Sequence, residues 1–116
     1  MSELDLNAPV RIFRAHRFSD RLFGVWRRPL QEHEGLWLLP CRGVHTFGLP
    51  VALDVLFLDR RGRLLRLLPS LPPNRWAWHS QADSVLELPG GYCRRHPGFP
   101  HALPQALCKA EEVSSN

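Results

Sequence analysis

Short apolar runs, bounded by glycine and proline, recur along the chain from residue 10 to residue 91. The segment VRIFR at 10–14 sets Val10 and Ile12 against Arg11, Phe13 and Arg14, and GLWLLP at 35–40 is a compact apolar run that ends in proline. Runs of this length and spacing are typical of β-strands. Further apolar or aromatic runs lie at 51–59, 62–71, 76–80 and 84–91. The pattern therefore predicts a mainly β fold, either a β-sandwich or a barrel-like sheet.

One segment near the N-terminus follows a helical period instead. Within FSDRLFGVWRR, residues 18–28, Leu22, Val25 and Trp26 recur at spacings of three and four and so share one helix face. A proline at position 29 ends the run. We therefore expect one short N-terminal helix packed on the β-structure.

A hairpin is predicted where two long apolar runs meet. The runs 51–59 and 62–71 flank Asp59-Arg60-Arg61-Gly62, which indicates a type I turn with glycine at the position that needs a positive φ. If Asp59 lies opposite Arg63, both faces of the hairpin are apolar, so we expect it to be central and covered on both sides. One face would carry the odd-numbered apolar residues, which are Val51, Leu53, Val55, Phe57, Leu65 and Leu67.

Composition bounds the size and class of the fold. The chain has 116 residues, of which 44% are hydrophobic and 22% are charged. Such a chain can bury a core of its own and is not of the disordered class. We expect a single β-rich domain over residues 10–104, with an N-terminal extension at 1–9 and a C-terminal tail at 105–116.

The sequence predicts a cytoplasmic protein. MSELDLNAPV at 1–10 is acidic and lacks the apolar core of a secretion signal. No apolar stretch approaches the roughly 20 residues of a membrane-spanning helix. In a reducing compartment, Cys41, Cys93 and Cys108 should be free thiols. We also expect a monomer.

The chain is basic, with a formal net charge of +4 that comes from 14 arginines and one lysine against 11 acidic residues. No more than two basic residues occur in a row. A preference for arginine over lysine accounts for this balance without any anionic partner.

Four sequence blocks follow one another along the chain. The first comprises Arg21, Gly24-Val25-Trp26 and Arg28, and the others are EGLWL at 34–38, VALDVLFLD at 51–59 and VLELPGG at 85–91. In this order, the blocks resemble the pattern of the family called domain of unknown function 192. The resemblance implies a small β-sandwich or barrel domain with a short helix packed on it. It implies no biochemical activity, because none is agreed for the family.

One segment departs from this resemblance. His45-Thr46-Phe47-Gly48-Leu49 stands where many family members carry Trp-Met-Lys-Asn-Thr. Many members are also exported, whereas no export signal is visible in this sequence. A specialised function of this chain is therefore expected in the segment CRGVHTFG, residues 41–48.

Asp54 is the most informative polar residue. It lies within an apolar run, where an unpaired buried carboxylate would cost several kcal/mol. Arg66, backbone amides or the His45-Thr46 loop could satisfy it. Asp54 is therefore either a structural anchor or a carboxylate that lines a pocket. Glu87 allows the same two interpretations, and the two carboxylates together could form the acid–base pair of a hydrolase-like site.

Cysteine and histidine residues supply weaker candidates for chemistry. Cys41 with His45 and Cys93 with His96 contain the ligand types of a tetrahedral zinc site, but neither pair forms a C-x-x-C knuckle. A thiolate nucleophile would need one of these cysteines beside a histidine base, with Asp54 as orienter, and no local catalytic signature is present. We therefore expect no catalytic residue, no metal and no cofactor.

A nucleic-acid surface is the alternative that uses the aromatic residues. Trp76, Trp78 and Arg75, together with Arg94 and Arg95, could stack bases and bind phosphates. No nucleic-acid motif is present, and tryptophans in a small domain usually belong to the core or to an interface. Nucleic acid is therefore disfavoured as a partner.

The leading hypothesis is a non-catalytic binding or accessory module for an unidentified protein or small-molecule ligand. Its surface would be lined by the 40–50 loop, WAWH at 76–79 and the glycine turn at 90–91, because ligand sites commonly lie in loops on a rigid scaffold. The candidate binding residues are His45, Thr46, Asp54, Arg66, Trp76, Trp78 and Glu87.

Overall fold

The computed structural model describes residues 10–15 and 30–112. The strands in these ranges are β1 (Arg11–Ala15), β2 (Glu34–Leu38), β3 (Gly43–His45), β4 (Leu53–Leu58), β5 (Leu64–Leu71), β6 (Trp76–Trp78), β7 (Ser84–Pro89) and β8 (Glu111–Glu112). The helices are α1 (Tyr92–Arg95), a 3-10 helix (Phe99–Ala102) and α2 (Leu103–Cys108). The prediction of a mainly β fold is confirmed.

Six of the strands form one mixed sheet in the order β5-β4-β7-β2-β1-β8. β1 runs parallel to β2 and β8, and the other neighbours are antiparallel. Every residue of β4 is buried, as expected for a central strand that is covered on both faces. β3 and β6 pair with each other in a separate two-stranded sheet.

Two layers of different kinds cover the six-stranded sheet. On one face, Val55 and Phe57 pack with Val44 of β3 and Ala77 of β6. On the other face, Leu56 and its neighbours pack with residues of the helical segment, which are Tyr92, Cys93, Phe99, Leu103 and Leu107. The described residues thus form a mixed sheet between a small β layer and a helical layer, and not a sandwich of two comparable sheets.

The helices that cover the sheet in the described ranges are C-terminal. The helix predicted within residues 18–28 lies outside the described residues, so the structure does not support an N-terminal packing helix. Leu103 and Leu107 of α2 enter the core instead. No helix within the described ranges has the length and apolar character needed to cross a membrane.

The predicted turn between β4 and β5 is confirmed, and so is the predicted pairing of Asp59 with Arg63, but the register predicted for the rest of the hairpin is wrong. Gly62 has a φ of 80° and donates its N–H to the Asp59 carbonyl at 2.9 Å. Beyond the turn the register shifts by one residue, so that Phe57 lies opposite Arg66 and not opposite Leu65. As a result, Leu68 packs on the face of Val55 and Phe57, and Leu67 packs on the face of Leu56. The exchange is tolerated because both residues are leucine.

The last strand joins the free side of β1. β8 pairs in parallel with β1, and the Arg11 Nε donates to Glu111 Oε2 at 2.8 Å. Arg14 forms a second ion pair with Glu112. These exposed ion pairs add little stability individually, but they set the register of a strand that is only two residues long.

We expect the C-terminal helical layer to be part of the folding core. Leu103 is 0% exposed, so Leu103→Ala should lower the free energy of unfolding by about 2–4 kcal/mol through the cavity it leaves. Chemical denaturation would measure this loss. Leu65→Ala, at a position 38% exposed on β5, is the matched control and should lose much less. Equal losses would contradict a core role for α2.

Candidate functional site

Backbone amides satisfy the carboxylate of Asp54. Asp54 is 0% exposed and points to the helical face of the sheet. Its Oδ1 accepts the N–H of Ser70 at 2.8 Å and that of Gly91 at 2.9 Å, and its Oδ2 accepts the N–H of Cys93 at 2.8 Å. The alternative Asp54–Arg66 pair does not form, because the register shift places Arg66 opposite Phe57, where it is exposed.

These three amides belong to two places where the backbone changes direction. Gly91 occupies the N-cap position of α1 with a φ of 85°. Because glycine has no side chain to cap the helix, the Asp54 carboxylate from β4 accepts the N–H groups at the helix start. Ser70 has a φ of 49° at the irregularity in β5 opposite Asp54. Asp54 therefore joins β4, the bulged end of β5 and the start of α1.

The thiol of Cys93 lies against the same carboxylate. Burial raises the pKa of Cys93 to about 12, and the negative charge of Asp54 and a hydrogen bond to it act in the same direction. A thiol with this pKa stays protonated near neutral pH and is a poor nucleophile. Cys93 is therefore a packing residue in this arrangement.

Glu87 and Asp54 project from opposite faces of the sheet. Asp54 lies opposite Leu88, whereas Glu87 lies opposite Val55, and neighbouring residues on a strand alternate between faces. Glu87 is buried on the face that carries Val55 and Phe57. The two carboxylates do not converge, so the geometry offers no acid–base pair between them.

The cysteine and histidine candidates for zinc are also separated. Cys41 packs in the core beneath β3 and donates its Sγ–H to the Gly43 carbonyl at 3.1 Å. Cys93 lies under the helical layer, and the ring of His96 lies 4.4 Å from that of Tyr92. No group of three His, Cys, Asp or Glu side chains in the described part of the chain could hold a metal ion. All three cysteines are free thiols, as predicted.

The outer side of the β3–β6 pair carries exposed aromatic residues. Val44 and Ala77 point inward, so by strand alternation Trp76 and Trp78 point outward, where they are 70% and 63% exposed. The His45 ring lies 5.2 Å from that of Phe47 and 5.5 Å from that of Trp76. We call this surface the aromatic face, defined by His45, Phe47, Trp76 and Trp78.

Thr46 holds the aromatic face in place from below. It is fully buried, and its hydroxyl donates to the Pro72 carbonyl at 2.7 Å and accepts the Arg75 N–H at 2.9 Å. The Thr46 N–H also donates to the Arg75 carbonyl at 2.9 Å. Thr46 therefore fixes the two loops that bracket the face, and its own side chain is not accessible to a ligand.

Gly43 allows Trp78 to lie close to the backbone of β3. A Cβ atom at Gly43 would come within 2.7 Å of Trp78 Cδ1, which is closer than carbon atoms can approach. An open groove of about 480 Å³ adjoins this position, and its lining includes Arg42, Trp78 and Asp83. The groove extends the aromatic face toward charged side chains.

The structure thus divides the predicted binding residues. His45, Trp76 and Trp78 share one face. The glycine turn serves the scaffold instead, because Gly90 donates to the Ala52 carbonyl and Gly91 to Asp54. Sequence reasoning missed Phe47, although strand-like alternation around Thr46 could have placed it beside His45.

We expect Asp54 to be essential for stability. Asp54→Ala removes the acceptor of three N–H groups, two of them on the buried residues Gly91 and Cys93, which should lower the free energy of unfolding by about 3–5 kcal/mol. Asp54→Asn retains one acceptor oxygen and should lose less than the alanine variant. Urea denaturation followed by circular dichroism would measure both losses.

The matched control for this prediction is Asp59→Ala. Asp59 also accepts two backbone N–H groups, from Arg61 and Arg63, but in an exposed turn. The Asp59→Ala variant should therefore lose less stability than either Asp54 variant. An anchoring role for Asp54 would be contradicted if Asp54→Ala unfolded at the same urea concentration as the parent.

Alkaline pH should destabilise the protein through Cys93. Its pKa of about 12 in the folded state exceeds the value of 9.0 for an unperturbed thiol. Between these values the unfolded chain loses the proton and the folded chain keeps it, so the free energy of unfolding falls as pH rises. Cys93→Ala removes this titrating thiol, so the free energy of unfolding of the variant should fall less steeply between about pH 9 and 11 than that of the parent. Equal slopes in urea titrations of parent and variant would refute the assignment.

Comparisons with solved structures support the fold. A protein of unknown function from Novosphingobium aromaticivorans DSM 12444 gives a TM-score of 0.64 at 21% identity, over 76% of this chain and 69% of that protein. A protein from Sinorhizobium meliloti 1021, provisionally named a transcription regulator, gives a TM-score of 0.61 at 23% identity, over 72% and 71% of the two chains. At these identities the likeness shows the fold alone.

The family comparison is more extensive. A search of the curated proteins found no significant match. The model of the family DUF192, described as "Uncharacterized ACR", matches residues 3–97, and α2 and β8 lie beyond that match. The match spans most of the chain and includes all four blocks that suggested the resemblance. The protein therefore belongs to the DUF192 family.

Proposed function

We propose that this protein is a non-catalytic binding module and that the aromatic face is its ligand surface. The observation that carries the proposal is the exposure of Trp76 and Trp78, at 70% and 63%. Single exposed apolar residues are common, but clustered ones mark interaction sites. Here Phe47 and His45 extend the two tryptophans into a cluster, with ring centroids 5.2–5.6 Å apart among His45, Phe47 and Trp76.

The rigidity of the aromatic face supports a binding role. The ladder of β3 and β6 places His45 opposite Trp76 and Gly43 opposite Trp78, and buried Thr46 fixes the adjoining loops. A preorganised surface loses little conformational entropy when a ligand binds. Aromatic side chains add large contact areas with few rotatable bonds.

The buried polar groups favour a non-catalytic role. Asp54 is occupied by backbone amides, and Glu87 lies on the opposite side of the sheet. The alternatives of a hydrolase-like site or a Cys41/His45 metal site therefore have less support than a binding surface.

We expect the two exposed tryptophans to be dispensable for folding. Trp76→Ser combined with Trp78→Ser removes side chains that lie mostly in water, so the melting temperature should stay within a few degrees of the parent. Differential scanning calorimetry would measure it. Ala77→Asp, which places a charge in the core beneath β6, is the contrasting variant and should unfold the protein or lower its melting temperature strongly. A large destabilisation by the double serine variant would identify the tryptophans as structural and contradict the proposal.

The binding arm of the test uses labelled probes of three classes, which are a single-stranded oligonucleotide, a linear oligosaccharide and a proline-rich peptide. Fluorescence anisotropy should detect binding of at least one probe to the parent and its loss in the double serine variant. Sedimentation velocity would test a fourth possible partner, a second copy of the chain. The proposal fails if no partner shows a dependence on the two tryptophans.

A further inference from the structure

We propose that the outer edge of β6 binds an extended segment of another polypeptide as an additional strand. The inference rests on the proposed function and specifies its ligand, because such a segment would lie beside the tryptophans of the aromatic face. A strand that joins a sheet edge gains affinity from main-chain hydrogen bonds and specificity from alternate side chains. Such a site therefore requires outward backbone groups next to side chains that a partner can contact.

The ladder between β3 and β6 determines which backbone groups of β6 point outward. Arg75 and His79, just beyond the two ends of β6, each form a backbone hydrogen bond of 2.9 Å with the β3 side. In an antiparallel ladder, residues that bond to the partner strand alternate with residues that do not. Ala77 lies two residues from each and therefore bonds to β3 as well. The N–H and C=O groups of Trp76 and Trp78 consequently point away from β3.

These outward groups form an open edge. β3 is the one strand that pairs with β6 in the small sheet, and within the described residues no hydrogen bond reaches the backbone of Trp76 or Trp78. On the opposite edge of this sheet, the Gly43 carbonyl already accepts the Cys41 thiol. Proteins commonly protect open edges with proline or charged side chains. β6 has the sequence WAW and contains neither.

The spacing of the outward groups matches a polypeptide. Residues two apart on a strand are separated by about 6.6 Å in both the edge and an added strand. An antiparallel segment can therefore place one residue opposite Trp76 and another opposite Trp78, and exchange two hydrogen bonds with each. Glycan and nucleic-acid backbones carry no alternating N–H and C=O groups. The edge thus favours a polypeptide over the other ligand classes.

The side chains of the aromatic face add a preference for apolar residues at alternate positions. Residues that lie opposite each other in a sheet project to the same face. The two segment residues opposite Trp76 and Trp78 would therefore lie beside the exposed indoles. Pairs of an aromatic with a β-branched or another aromatic side chain are favourable across strands. The partner is accordingly an extended segment with such residues at every second position.

A second copy of this chain fits the edge less well than a different polypeptide. The edges of the larger sheet are short or interrupted, so a second copy would have to pair its own β6 with this one. That pairing brings together two chains that each have a formal net charge of +4. A net charge of one sign opposes self-association.

Fluorescence anisotropy with a labelled synthetic peptide tests the inference. The peptide has about seven residues, within the usual length of a strand, and alternates valine with threonine or glutamate. Two isomers carry backbone N-methyl groups, one on the valine amides and the other on the threonine and glutamate amides. Valine methylation removes the donors that face β6, whereas the other isomer is altered on its far edge. We expect the first isomer to bind about tenfold more weakly than the second, through the loss of two hydrogen bonds.

Substitutions at Trp78 separate its backbone from its side chain. Trp78→Ser removes the indole and retains the N–H, whereas Trp78→Pro removes both. Proline is tolerated where the missing N–H would face away from the sheet, so the two variants should have similar melting temperatures. Trp78→Pro should nevertheless bind the peptide about threefold to tenfold more weakly than Trp78→Ser. Ala77→Pro, which loses a hydrogen bond to β3, is the contrasting variant and should melt at a much lower temperature.

Amide hydrogen exchange, followed by NMR, examines the same groups in the parent protein. In the free protein, the amides of Trp76 and Trp78 should exchange much faster than that of Ala77, which bonds to β3. Saturation with the unmethylated peptide should slow exchange at both tryptophan amides about tenfold or more, because each becomes hydrogen-bonded.

Three results would overturn the inference. These are no binding of the unmethylated peptide, equal binding of the two methylated isomers, or tryptophan amides whose exchange the peptide does not slow. Tryptophan-dependent binding of the oligonucleotide, the oligosaccharide, the proline-rich peptide or a second copy would then leave the proposed function standing with a different partner. Absence of every tryptophan-dependent interaction would refute both.

Discussion

The contact between the Asp54 carboxylate and three backbone amides is the constraint on which the rest of the structure depends. A buried charge in the middle of β4 is tolerated only because Ser70, Gly91 and Cys93 direct their N–H groups at it. Those contacts fix the bulge in β5 and the start of α1. They thereby determine where the chain leaves the sheet, and so how the C-terminal helices can cover Leu56 and its neighbours.

The sequence predicted the features that local chemistry determines. Alternation and turn residues located most strands, and the Asp59–Gly62 turn formed as expected. The need of Asp54 for a partner was also predictable, with backbone amides among the candidates. The register of β5 was not, because Leu67 and Leu68 fit either core. β3 is too short for its alternation to be detected, since only Val44 within it is buried.

The candidate site was predictable in its parts but not in its assembly. His45 and the two tryptophans stood out as residues, but only the β3–β6 ladder shows that they share a surface. Asp54 and Glu87 project from opposite faces of the six-stranded sheet, and the aromatic face lies on the separate β3–β6 pair. Which of these residues come together therefore depends on the direction in which each strand turns its side chains. This separation also places His45 and Phe47 on the outer layer, apart from Asp54.

Both edges of the six-stranded sheet in the described ranges resist the addition of another strand. β8 ends one side after two residues, with both glutamates paired to arginines of β1. β5 ends the other side with Pro69 and the kink at Ser70, and proline cannot donate a ladder hydrogen bond. Backbone geometry therefore disfavours the addition of a further strand at either of these two edges.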